Sequence, residues 1–272
     1  MPVADPAAPT EPKASPRFQR APLVITAAAA LASVSLLATA LALGWLGPDI
    51  GRGGGFCEAA RDALVRQPAN TWSNVGFVIA GLAASWHVSR RGSGTMSAPL
   101  GTAYAVVVVL LGPGSAAMHA SQSELGGHLD LYSMYLLASF VLAYAAARLL
   151  RLATTGFVGL FVAALGLCTV AEFTSADVPV VMTLGNAVFA VMLLAGLAME
   201  VVLRTRGGVR LDVRWGFASV AALLVAFAIW NTGKDGGPLC DPHSLLQPHA
   251  VWHLLDAGAA WLLFRYYASR RP

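Results

Sequence analysis

Apolar residues dominate eight stretches of the chain, separated by short segments rich in Gly, Pro and charged residues. Their approximate bounds are 22–46, 70–89, 99–120, 129–150, 156–175, 178–203, 213–232 and 248–269. A spanning helix needs roughly 17–25 residues, and backbone polar groups in lipid have to be satisfied within their own segment. Eight transmembrane helices are therefore expected. Residues 1–20, a run of Pro, Ala, Ser and Thr with Lys13, Arg17 and Arg20, hold too little apolar surface to fold and read as a disordered cytoplasmic tail. The first stretch, 21–47 with its flanks, is longer than the apolar core of a signal peptide. A retained anchor is expected there.

Composition changes the picture only by excluding soluble folds. At 272 residues the chain could form one large soluble domain or two small ones, but it is 57% hydrophobic and 12% charged. A soluble fold carries about 25% charged residues, so half the usual polar coat is missing, and lipid is what replaces it. Mean hydropathy is +0.64. The net charge of +4 comes with no basic run interleaved with aromatics, so no nucleic-acid partner is expected. Three cysteines without a CxxC pair exclude a zinc ribbon and a dense disulfide framework.

The placement of charge gives an orientation. With the N-terminus in the cytoplasm, the outer side receives Arg52, Arg61, Arg66 and Lys234, and the cytoplasmic side receives the other 14 of the 18 Lys and Arg. That asymmetry satisfies the positive-inside rule, and a missed or invented helix would spoil it. Both termini are then cytoplasmic, in a multi-pass protein expected in the cell membrane. Neither an internal repeat nor a pair of broken helices, as many transporters carry, is evident.

Polar residues inside such helices are costly and mark function by default. Ser115 and His119 lie at the outer end of the third stretch, Asp130 near the start of the fourth, and His249 and His253 at the start of the eighth. All five fall at one depth near the outer face. Residues four apart share a helix face, so His249 and His253 can point at one ion. His119 completes a three-histidine set, which leaves an open position as catalytic zinc requires. A carboxylate can take the proton of a zinc-activated water and pass it to a leaving amine. A serine hydroxyl can donate to a developing oxyanion. Taken singly, an HxxxH pair can equally be two histidines snorkelling at the interface; the third His, the Asp and the Ser favour a metal site. His87 reads as interfacial, His128 and His243 as loop residues, and Glu200 as snorkelling toward the cytoplasm. Asp256, three residues after His253, is a candidate to orient that ligand from behind.

These residues resemble the alkaline ceramidases, part of a wider seven-helix hydrolase superfamily that includes the adiponectin receptors. The matching pieces are Phe56-Cys57-Glu58, Asn70-Thr71-Trp72-Ser73-Asn74, Ser115 with His119, Asp130, and His249 with His253. The resemblance covers about residues 55–270. It implies a seven-helix catalytic core with the first span as an addition, zinc on His119, His249 and His253, and Ser115 and Asp130 completing the site. It further implies hydrolysis of the amide of a ceramide-like or other N-acyl lipid, releasing a fatty acid and an amine. The animal enzymes also carry a calcium site before the first core helix. Here Glu58 matches, whereas Gly55, Ala60 and Gln67 stand at the other side-chain ligands. One carboxylate is poor provision for a cation that takes six to eight oxygens.

The rival reading is a receptor or scaffold that keeps structural zinc without turnover; Ser115 and Asp130 argue against it, since such a zinc needs neither. Cys57 and Cys240 both fall on the outer side, where oxidation is permitted. A bond between them is expected, the alternative being two free thiols, while Cys168 reads as a small core residue.

Overall fold

In the computed structural model, residues 18–91, 96–174, 177–178, 181–207 and 211–269 are described. Most of the tail expected at 1–20 lies outside them. The chain is an all-α, multi-pass membrane protein. In order, its helices are α1 (Arg20–Ala42), α2 (Pro68–Ser73), α3 (Val75–Arg91), α4 (Ala98–Ser121), α5 (Glu124–Leu150), α6 (Thr154–Glu172), α7 (Leu184–Thr205), α8 (Val213–Thr232) and α9 (Pro248–Ala268). Six of them, α1, α4, α5, α6, α7 and α8, are long and apolar enough to cross a membrane by length and composition.

The other two expected spans differ for identifiable reasons. The stretch at 70–89 is divided at Asn74, where the N–H of Asn74 bonds Thr71 O and its own carbonyl accepts from Phe77, both one residue tighter than α-helical pairing. This leaves α3 with 17 residues. In α9, two histidines and Asp256 interrupt an otherwise apolar run. The sixth expected span begins late. Pro179 disfavours helix in the residue before it, and a short antiparallel pair, β1 (Asp177–Val178) with β2 (Met182–Thr183), precedes α7. The Thr183 hydroxyl then caps α7 by accepting from Asn186 N.

Packing is centred on α4, which contacts α1, α3 and α5 extensively and α2 and α9 less so. The Gly112-Pro113-Gly114 segment permits this. A Cβ at Gly112 would lie 2.8 Å from Val78 Cγ2 and 3.0 Å from Asn74 O, and one at Gly114 would lie 2.7 Å from Ser133 Cβ and 3.0 Å from Leu129 O. The bare backbone thus presses against α2–α3 on one side and α5 on the other. The central core joins Tyr104, Phe140, Phe264 and Tyr267, all nearly inaccessible.

Glu200 does not snorkel. It is buried, paired with Arg148 at 2.6 Å and accepting the Tyr266 hydroxyl at 3.1 Å. A carboxylate facing lipid would be costly, and α5 supplies its counter-charge. His87 packs edge-on to Phe264 at 5.5 Å. Cys168 is free and buried, with its thiol 3.8 Å from the Met192 sulfur.

Candidate metal centre

Two helices bring three imidazoles together. His119 sits in the last turn of α4, and His249 and His253 sit one turn apart at the start of α9, where Pro248 occupies the first helical turn and lacks only an N–H that would be unpaired anyway. All three rings are buried, and one nitrogen from each lies within 4.8 Å of the others. His119 Nε2 and His249 Nε2 are 3.1 Å apart. With Zn–N bonds of about 2.0–2.1 Å, neighbouring ligands of a tetrahedral ion stand about 3.3–3.4 Å apart, so this pair is near the spacing that one small dication needs. Imidazole donors without thiolate or carboxylate suit zinc, copper, iron or nickel.

The outward nitrogens of two rings are held. His119 Nδ1 lies 2.7 Å from Gln67 Oε1, and His253 Nδ1 lies 2.8 Å from Ser73 Oγ and 3.2 Å from Asn74 Nδ2. His249 Nδ1 is buried without a hydrogen-bond partner, and Phe56 stacks on its ring with centroids 4.0 Å apart. One segment, from Phe56 to Asn74, therefore touches all three histidines. Asp256 does not orient His253: α2 occupies that position, and Asp256 Oδ1 is buried without a partner. Sequence reading overlooked Gln67, Ser73 and Asn74 as supports. The polar run Asn70-Thr71-Ser73-Asn74 at the head of an apolar stretch was the available signal.

Ser115 lies on α4 one turn before His119, with Oγ 3.5 Å from His253 Nε2 and the Asp130 carboxyl nearby. Asp130 sits inside α5, whose start is capped by Ser123 accepting from Gly126 N at 3.0 Å. Arg52 and Glu172 are its charged neighbours. Glu172 in turn accepts from Tyr135 Oη at 3.0 Å, lies 3.0 Å from His128 Nδ1 and pairs with Arg52 at 3.6 Å. His128 thus belongs to α5 rather than to a loop. His243 is in a loop and exposed.

The Cys57–Cys240 disulfide is present, with Cα atoms 5.6 Å apart. It joins the loop before α2 to the loop before α9. The donor set around Glu58 does not fit calcium. Both Glu58 carboxylate oxygens accept backbone N–H groups, of Ala69 and Asn70 at 2.8 Å each, and Gln67 directs its oxygen at His119. No curated protein matches the chain in sequence. A family model described as Ceramidase does match, over residues 56–270, a range that begins after α1 and takes in every residue of the histidine centre. On that match the chain belongs to the ceramidase family.

Proposed function

We propose that this protein, whose family membership supports a hydrolase acting on the amide bond of a lipid, is a zinc-dependent enzyme cleaving a ceramide-like or other N-acyl lipid to a fatty acid and an amine. The observation that carries the zinc assignment is the meeting of three buried imidazole nitrogens from α4 and α9 within 4.8 Å.

His119, His249 and His253 would hold the ion, which supplies a water activated for attack at neutral pH. Asp130 accepts the proton of that water as the new carbon–oxygen bond forms at the amide carbonyl. The Ser115 hydroxyl donates to the oxygen that gains negative charge. Asp130 returns the proton to the nitrogen as the carbon–nitrogen bond breaks, so the amine leaves neutral and the acyl group leaves as the acid. In this reading α2–α3 and α4 to α9 form a seven-helix core to which α1 is added. The chain lies in the cell membrane with both termini cytoplasmic and the metal centre toward the outer side.

Purified protein assayed against a panel of N-acyl lipids and esters, with and without a chelator, tests the activity. Metal analysis of His253→Ala tests the ligand set. Chelator-sensitive release of fatty acid and one zinc per chain, lost in His253→Ala, are expected. Zinc at the unsubstituted level in a folded His253→Ala protein would remove the assignment.

A further inference from the structure

Gln67 is fully buried between the outer loop and the histidine cluster, and each polar atom of its side chain has a partner. Its Nε2 donates to Glu58 O at 2.8 Å and to Gly53 O at 3.2 Å. Both partners are carbonyls that can only accept, so the amide nitrogen has to face them. The opposite orientation would set Oε1 against two carbonyl oxygens. Oε1 therefore faces His119 Nδ1 at 2.7 Å. A carbonyl oxygen cannot donate, so the ring proton of His119 sits on Nδ1, leaving a lone pair on Nε2, the atom 3.1 Å from His249 Nε2.

The backbone holds this arrangement in register. Gln67 N donates to His119 O and Arg66 N to Ala120 O, both at 3.0 Å, so the segment before α2 is laced to the end of α4. The two carbonyls that fix the amide come from either side of Cys57, which is bonded to Cys240 in the loop leading into α9. Ala59 N adds a bond to Pro242 O at 2.9 Å. The acceptors that orient Gln67 are thus tied covalently to the helix that carries His249 and His253.

We infer that Gln67 is the positioning residue that sets the tautomer of His119 and, through it, the metal affinity of the three-histidine cluster. The inference rests on the metal reading above. A ligating histidine held through its second N–H is fixed in ring orientation, and loss of such a partner typically weakens metal binding about 10–100-fold.

Three proteins decide it: the unsubstituted chain, Gln67→Met, which keeps the volume without an acceptor or donors, and Gln67→Glu, which keeps an acceptor oxygen. Nitrogen-15 spectra of histidine-labelled, metal-free protein read the tautomer directly. Zinc affinity is measured by competition with a chelator, and retention of the Cys57–Cys240 bond reports the fold. In the unsubstituted protein His119 should carry its proton on Nδ1. Gln67→Met should lose that fixed tautomer and bind zinc about 10–100-fold more weakly, with Gln67→Glu several-fold tighter than Gln67→Met. Unchanged zinc affinity in Gln67→Met, or an Nε2-protonated His119 in the unsubstituted protein, would overturn the inference. Equal weakening in both variants would also count against it, because an acceptor would then make no difference. Failure of the metal reading itself looks different: the unsubstituted protein would take up no zinc, whatever the tautomer.

Discussion

Ser115 Oγ lies 3.5 Å from His253 Nε2, with the Asp130 carboxyl on its other flank. That separation is at the long limit of a hydrogen bond, so the hydroxyl is not committed to His253. One short side chain on α4 therefore stands between the carboxylate on α5 and a histidine on α9. In the proposed reaction that position suits a donor to substrate oxygen.

Asp130→Asn should reduce turnover by about 10²–10⁴-fold, the contribution typical of a positioned general base. Asn preserves the shape but cannot accept the proton. Because Asp130 is not among the three histidines, zinc content should stay at the unsubstituted level. Ser115→Ala should slow the reaction about 10²–10³-fold, as removal of an oxyanion donor does. Steady-state rates with parallel metal analysis check both, and full activity in Asp130→Asn would eliminate the base.

Thiol labelling under denaturing conditions should find only Cys168 before reduction, with Cys57 and Cys240 appearing after it. Replacing both bonded cysteines with serine should destabilise the protein by about 2–4 kcal/mol, the usual range for a native disulfide. Thermal unfolding in detergent measures this. A Tm unchanged from the bonded protein would show that the bond contributes nothing to the fold.

The Arg148–Glu200 pair, with its carboxylate buried and its guanidinium half-buried, predicts a non-additive response. Arg148→Met alone leaves the buried carboxylate accepting the Tyr266 hydroxyl without its counter-charge and should cost up to about 3 kcal/mol. Arg148→Met combined with Glu200→Leu removes both charges and should recover much of that loss. If the double variant melts below the single one, the pair is not the reason for the loss.

Gly112→Ala should damage the metal centre from outside it. The added Cβ would meet Val78 Cγ2 at 2.8 Å and Asn74 O at 3.0 Å, and Asn74 also contacts His253. Overpacking of this kind costs about 1–3 kcal/mol. A lowered Tm together with weaker zinc binding is the expected result; lowered stability with unchanged zinc affinity would confine the effect to packing.

Much of the molecule is legible in its sequence, because the governing signals are local. Hydropathy over some twenty residues marks a spanning helix wherever it packs, and the i, i+4 spacing of His249 and His253 puts both on one face before any partner is known. Charge asymmetry places Cys57 and Cys240 on one side, which the disulfide between them agrees with. What surrounds the histidines depends on how helices meet, and spacing within one helix carries no information about that. Asp256 has the right spacing to support His253, yet Ser73 at the end of α2 and Asn74 just after it hold the ring. Glu200 sits near a helix end that charge placement assigns to the cytoplasmic side, but the packing of α5 against α7 gives it Arg148 in place of solvent. Gln67 stands in the sequence as an ordinary polar residue before a proline. Its contact with His119 exists because the segment before α2 folds back along the end of α4, with Gly53 and Glu58 within reach of its amide. The three histidines that meet were therefore readable from the chain, whereas the groups that hold their rings in place depend on the close approach of α4 to its neighbours that the bare backbone at Gly112 and Gly114 permits.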